Sequence, residues 1–338
     1  MANLKDIARL TGRSVSTVSV VLRGDSKQFG ICEETEKEIR DAARRLGYVK
    51  NDFARTMASG KSRMIAFLVS RNKDEEYTGR LLSGVLETVS AAQYSMRLIK
   101  DQSEKPAEFI KNLLSQQIRG LLISGDLPRE QVDALIRECI QNDIFCTTVN
   151  LSNQVEGAGI ISDDINGMKM LVLKMFELGH RKIAMLDNSR NAEYVLTRRN
   201  GYLLGMDECG LEPYLIPESK QKNNLLKTLI RQGYTALLTN SDYCSAELMQ
   251  QAYAQGIRIP DEISICGYSG IKLADYSALP VTTVIQDFEG MGKKAAEILI
   301  SQVEKRSSIR KGTVKNIALP TMLKIQKSTR AIKEGERE

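Results

Sequence analysis

From Met64 onward the chain alternates short apolar runs with longer amphipathic stretches, and this alternation limits its fold more than any other feature. The runs at 65–69, 96–99, 120–124, 144–149, 183–186, 236–239 and 263–267 have the length and β-branched content of strands. Between and after them, 77–93, 106–117, 128–142, 166–178, 194–209, 222–232, 242–255 and 288–304 carry apolar residues at helical spacing. Strand and helix in turn imply parallel sheets covered on both faces, joined by right-handed crossovers. The length accommodates two such sheets, dividing near residues 160–163. An apolar fraction of 42% and a charged fraction of 27% suit a chain with sizeable buried cores.

The first sixty residues follow another rule. Leu4, Ile7, Ala8 and Thr11 fall on one face of a short helix. Gly12 ends it, since glycine adopts the left-handed conformation at little cost. Ser14 is placed to cap a second helix, in which Val18, Val21 and Leu22 share one face while Val15, Ser16, Ser19 and Val20 lie on the other. Ser, Thr and Val are mediocre helix formers, so this helix was not selected for propensity. Exposed Val15 and Val20 make sense in a DNA major groove, where apolar groups meet thymine methyls; ordinary surface valines on a helical hairpin are the plain alternative. A third helix over 33–46 carries acids first and arginines last, which suits the helix dipole.

Charge separates the two parts. Residues 1–63 hold thirteen Lys/Arg against eight Asp/Glu, while the whole chain is only +6. A basic module on a nearly neutral body is the footprint of a protein that touches phosphate with one end.

The run Leu4-Lys-Asp-Ile-Ala-Arg-Leu-Thr-Gly12, then Ser14-Val-Ser-Thr-Val-Ser19, then Leu46-Gly-Tyr48 with Asn51, Ala54 and Arg55, resembles the headpiece of the LacI/GalR family of bacterial transcription regulators. Downstream, Leu178-Gly-His-Arg-Lys-Ile183, Arg198-Arg-Asn-Gly-Tyr202, Ile257 to Ser264, Gly267-Tyr268, Leu279-Pro280 and Thr282-Thr283 are similar to landmarks of the same family. The resemblance implies an all-α helix-turn-helix headpiece over 1–48, a hinge helix and linker over 49–62, and an α/β body over 63–338. The body would be periplasmic-binding-protein-like: two Rossmann-like lobes with parallel sheets, one lobe at about 63–160 and 287–320, the other at about 163–285 and 321–328.

It further implies that Val15, Ser16 and Val20 face base edges and that Ser14, Thr17 and Ser19 hold phosphates, contacts that position without specifying. Arg13 and Arg23 are candidates for extra phosphate contacts. The family usually has arginine or another polar residue in place of Val20, valine in place of Arg13 and a serine cap in place of Cys32. In the hinge, Asn51 would cap a short helix, Lys50 standing where the family has proline. Arg55 would join the DNA contacts, and Met57 would be the apolar wedge that unstacks a minor-groove step. A homodimer would read a pseudo-palindromic double-stranded operator.

In the cleft, the resemblance points to Tyr77, Asn150, Arg198, Ser241, Ser269, Gln286 and Phe288 as effector contacts. Neutral Asn150 and Ser269 stand where family members often carry Asp, and Ser241 where they often carry Asn. With those acceptors gone, an anionic or phosphorylated sugar held by the Arg198 fork becomes the expected ligand rather than a neutral one. Phe288 would be a stacking platform or plain core.

An enzyme is not expected. One histidine, His180, sits in a helix-ending turn, and no G-x-S-x-G, P-loop or G-x-G-x-x-G is present. Asp163-Asp164 resembles half of a metal site, though a helix N-terminus welcomes acids anyway. The six cysteines form no C-x-x-C pair, which favours reduced thiols. No cofactor, no metal and no membrane span are expected. Lys5, Asp6 and Arg9 break any signal-peptide pattern, so the cytoplasm is the expected compartment. The alternatives are a nonspecific or ligand-independent DNA binder and, less favoured, an α/β enzyme with a DNA-binding appendage.

Overall fold

The computed structural model describes residues 2–48, 62–69, 75–100, 105–124, 127–155, 157–187, 192–217, 224–305 and 314–333. The chain divides into two compact units, residues 1–62 and 63–338.

Among the described residues the first unit holds three helices. Asn3 caps α1 (Leu4–Thr11) through a reciprocal box with Asp6: the Asn3 side chain accepts from Lys5 and Asp6 N–H, and Asp6 accepts from Asn3 N–H at 3.0 Å. Gly12 ends it at φ 63°. Ser14 caps α2 (Val15–Arg23), accepting from Thr17 N–H at 3.0 Å. Cys32, preceding α3 (Glu33–Arg45), makes no such bond, and Glu33, Glu34 and Glu36 serve the helix dipole in its place. Ile7, Val18, Val21, Ile39, Ala42 and Ala43 form the core between the three helices.

The second unit holds two six-stranded sheets. Its elements run β1 (Met64–Val69), α4 (Glu75–Ala91), β2 (Ser95–Lys100), α5 (Pro106–Ser115), β3 (Gly120–Ser124), α6 (Arg129–Gln141), β4 (Phe145–Val149) and β5 (Gly157–Ser162). They continue with α7 (Asp164–Glu177), β6 (Ile183–Asp187), α8 (Glu193–Glu208), β7 (Tyr214–Pro217), α9 (Leu225–Arg231), β8 (Ala236–Leu238), α10 (Asp242–Ala254), β9 (Ser264–Ser269) and α11 (Lys272–Tyr276). Last come β10 (Thr282–Ile285), α12 (Phe288–Lys305), β11 (Val314–Leu319) and β12 (Met322–Lys324). The first sheet has the order β11-β5-β4-β3-β1-β2, the second β12-β10-β9-β8-β6-β7. Every pairing is parallel except β10 with β12, which is antiparallel. The expected fold class is therefore present, with one reversed edge strand.

The period of two along each strand divides the cores. In β1, Ile65, Phe67 and Val69 face α4 and α12, whereas Ala66 and Leu68 face α5 and α6. In β6, Ile183 and Met185 face α7 and α8, whereas Ala184 and Leu186 face α9 and α10. Such two-sided burial is what a parallel sheet needs.

Five strands were not expected from the sequence: β5, β7, β10, β11 and β12. Glycine-rich β5 has weak strand propensity, yet a Cβ at Gly159 would collide with the Asn316 side chain, so glycine is what lets β11 pair there. β7 is short, contains Pro217 and lies at an edge, where proline is tolerated. β11 and β12 are edge strands too, with little burial to imprint a pattern.

The chain passes between the sheets three times: from β5 into α7, from β10 into α12, and from β11 into β12. The first and third crossings are bonded, Asp163 N–H donating to the Leu319 carbonyl at 2.9 Å. Ligands of such sheets bind beyond the carboxyl ends of the strands, which is where these crossings lie.

Candidate functional site

Two regions collect the residues expected to function. The first is the outer face of α2. Val15 is 42% exposed, and Ser14 and Ser16 are exposed beside it. The Ser14 hydroxyl lies 2.7 Å from that of Ser16 and 2.8 Å from that of Thr17. Thr17 and Ser19 are half-buried. Val20 corrects the sequence reading: it is only 9% exposed. A helical wheel treats the helix as isolated, but the chain turns back directly after it, Asp25 N–H donating to the Val20 carbonyl and Ile31 N–H to that of Ser26. Arg13 pairs with Glu38 at 3.2 Å and Arg23 with Asp25 at 3.5 Å. Phe29, in the turn after α2, is 60% exposed, and composition gave no hint of it. Lys50, Asn51, Arg55 and Met57 lie outside the described residues, as does the rest of the hinge apart from Ser62.

The second region is the cleft side of the body. Tyr77 on α4 and Phe288 at the start of α12 meet edge to face, their centroids 4.8 Å apart. The Tyr77 hydroxyl lies 3.4 Å from that of Ser124 at the end of β3. Phe288 belongs to the core of the first sheet, under the Arg80 guanidinium, so of its two expected roles packing is the one the geometry displays. Asn150, after β4, is half-buried in a left-handed conformation at φ 58°, and its N–H donates to the Ile160 carbonyl. Ser241 caps α10, accepting from Cys244 N–H. Ser269, ending β9, is held at φ 115°, a region L-residues rarely adopt.

Arg198 is 3% exposed, and each of its three nitrogens donates to the protein itself. Nε reaches Asp164 at 3.2 Å, Nη1 the Asn240 carbonyl at 2.6 Å and Nη2 Gln286 Oε1 at 2.9 Å. Its guanidinium carbon lies 4.0 Å from the Tyr268 ring centroid and 4.9 Å from that of Tyr194. The fork expected to take an anion therefore has its charge compensated by Asp164. The sequence named Asp164 only as a possible metal partner or dipole acid. Asp163 instead caps α7, and among the described residues no group of three or more His, Cys, Asp or Glu gathers as a metal site would require.

Asp164 also accepts from Gln286 Nε2 at 3.0 Å and from the Tyr268 hydroxyl at 3.1 Å. Burial raises its carboxyl above the usual carboxylate range, with the Arg198 charge opposing. Asp242, wholly buried at the start of α10, accepts from the Thr283 hydroxyl at 2.6 Å and from Ile271 N–H at 3.0 Å. Burial pushes it up to about 7. No local pattern marks either acid, because their partners are far along the chain. His180 is structural in this geometry: fully buried, it accepts from the Thr235 hydroxyl at 2.8 Å and donates to the Arg330 carbonyl at 3.1 Å, and burial lowers it to about 4.

The lobes also touch at the cleft rim. Arg80 of α4 donates to the Gly270 carbonyl at 3.2 Å, and the Glu76 carboxylate accepts from Lys272 N–H. These contacts were not foreseen from the sequence.

Comparison with known proteins gives matches to both units. Residues 3–51 match the profile of bacterial regulatory proteins of the lacI family, and residues 172–329 that of a periplasmic binding protein-like domain. The HTH-type transcriptional repressor PurR of Vibrio atlanticus is 28% identical over 315 residues, covering 90% of this chain and 92% of that protein. The ribose operon repressor of Haemophilus influenzae is 28% identical over 317 residues, again covering 90% and 92%. Among solved structures, the lac repressor dimer bound to operator and the anti-inducer ONPF superimposes with a TM-score of 0.81 at 22% identity, covering 98% of this chain and 99% of that one. The complex of the regulator CelR with cellobiose gives 0.65 at 20% identity, covering 97% and 100%.

Proposed function

We propose that this chain is a transcriptional repressor of the kind found in the lacI family of bacterial regulatory proteins, whose head grips a specific DNA sequence while a small molecule in the cleft of its body sets how firmly. It acts by binding and catalyses no reaction. The observation that carries this reading is α2: a helix of poor propensity, capped at both ends, that keeps Val15 exposed between serines. A surface helix gains nothing from that valine; a helix lying in a major groove does.

Two copies would act together, each placing α2 in one of two successive major grooves about 34–36 Å apart. Hinge segments 49–62 would meet in the minor groove between them, with Met57 as the wedge. A ligand that prefers one lobe arrangement shifts the population toward it, which is all the control requires. Among the seven expected effector contacts, Arg198 alone is charged, and Asp164 compensates it. Tyr77, Asn150, Ser241 and Ser269 bring no charge to the remaining expected contacts, which supports a sugar or sugar derivative over an acidic one. The cytoplasm is the place such a protein would work, and no helix of the described residues is long and apolar enough to cross a membrane.

Selection of bound duplexes from a random pool by the full-length protein tests the reading. A palindromic consensus is the expected result, with retention altered by one of a panel of neutral and phosphorylated sugars. Uniform retention with the same steep salt dependence for every duplex would leave a nonspecific binder instead.

A further inference from the structure

Three side chains far apart in sequence form one closed, buried unit. Arg198 donates through Nε to Asp164 and through Nη2 to Gln286, and Gln286 Nε2 donates to Asp164 in turn. Their backbone positions give the ring its meaning. Asp164 opens α7 immediately after the first crossing between the sheets, and Gln286 lies within the second crossing, between β10 and α12. Arg198 stands on α8 of the second lobe and holds both.

Gln286 is fixed from other directions as well. Its N–H donates to the Ser269 carbonyl at 3.3 Å, and its carbonyl accepts from Arg80 of the first lobe at 3.5 Å. It is 1% exposed. Rotation of one lobe on the other has to bend these crossings, and in a low-dielectric interior a satisfied polar ring resists partial disruption. Losing one member of a buried ion pair is costly because the other charge is left behind.

We infer that Asp164, Arg198 and Gln286 form a clamp that ties two of the three interlobe crossings together, Arg198 acting as a positioning residue for the lobe arrangement. The inference deepens the effector-controlled reading given above and rests on it. Through the crossings the clamp couples the lobe arrangement to the head's grip on DNA.

The test uses the full-length protein without ligand and follows amide hydrogen exchange. Gln286→Met keeps the side chain's bulk and removes its bonds; Arg198→Lys keeps the charge and removes the fork. Each is expected to speed exchange at residues 163–167, on the other crossing, by about tenfold, the loss of one buried bond to Asp164. Exchange over residues 4–45 is expected to stay as in the wild type. Because the ring opens as a unit, the double variant is expected to exchange no faster than the faster single one. Each variant is also expected to change affinity for the pool-selected duplex several-fold. Gln286→Met serves if Arg198→Lys fails to fold. Acceleration confined to residues 285–288, additive effects in the double variant, or unaltered duplex affinity would each overturn the clamp. A wild-type protein that selects no duplex would instead count against the repressor reading, and the exchange arm would still judge the ring.

Discussion

Arg129 of α6 and Glu193 of α8 form an ion pair that reaches from the helices of one sheet to those of the other. The same carboxylate accepts from Ser152 N–H at 3.1 Å, while Arg129 also donates to the Ser152 carbonyl and hydroxyl. With Arg80 and Glu76, these bonds make a second line of attachment between the lobes besides the covalent crossings.

Glu193→Gln keeps an acceptor for Ser152 and removes the charge. Both side chains are about one quarter exposed, so the expected cost is below about 1 kcal/mol, or at most about 2–4 °C in melting temperature for a unit of this size. The difference from wild type is expected to vanish in molar salt, where the screening length falls to roughly 3 Å. A deficit that survives high salt in thermal unfolding would mean that packing, not charge, is what Glu193 supplies.

Two buried groups make the stability of the second unit depend on pH with opposite signs. Asp242 is raised by burial to about 7. The native state therefore binds its proton more tightly, and the group's contribution, full below the ordinary carboxylate range near 4, is lost as pH rises toward 7. His180 is lowered by burial to about 4. Its contribution is full above 6.5 and is lost as pH falls toward 4, because the unfolded chain takes up the proton first. Each slope is roughly 1.4 kcal/mol per pH unit within its window, and the windows overlap, so the two largely offset. In denaturant unfolding from pH 4.5 to 7, Asp242→Asn is expected to become less stable relative to wild type as pH falls. His180→Gln is expected to become more stable relative to wild type over the same fall. Parallel profiles for all three proteins would remove both groups from this account.

Glycines within one helix should respond in opposite directions. Gly79 and Gly84 both lie in α4. A Cβ at Gly79 meets nothing within 4 Å, whereas at Gly84 it would collide with the Glu289 carbonyl of α12. Gly79→Ala is expected to stabilise by about 0.5–1 kcal/mol through the unfolded state. Gly84→Ala is expected to cost about 1–3 kcal/mol by forcing two close helices apart. Unfolding midpoints in urea, at unchanged slope, check both.

Where burial leaves a periodic trace, the sequence was readable. The apolar face of α1, the cap at Ser14 and the central strands β1, β3 and β9 follow from local spacing. The edges were not, because β7 and β11 bury little and so impose no alternation on their residues. The cleft was legible as a list of positions but not as a set of contacts. Arg198 could be named from its neighbourhood in the chain, yet Asp164 and Gln286 lie 34 and 88 residues away. Nothing local to Arg198 says that its charge is already met by Asp164. The burial of Val20 was missed for a related reason: a helical projection places it on the outer face and says nothing of what the folded head sets against it.

That difference between two valines of α2 separates reading from folding. Val15 is 42% exposed and Val20 is 9% exposed, although both project away from the line of Val18 and Val21. Val15→Ala removes little buried surface, so stability is expected to stay within about 0.5 kcal/mol. Affinity for the pool-selected duplex is expected to fall roughly fivefold, about 1 kcal/mol, with the loss concentrated at one base pair. Val20→Ala deletes two buried carbons and is expected to cost the head about 1.5 kcal/mol, seen as faster amide exchange across α1, α2 and α3. At saturating protein it should leave the selected consensus unchanged. If Val20→Ala instead rewrote the consensus while the head's exchange stayed as in wild type, Val20 would be a base reader that DNA binding uncovers.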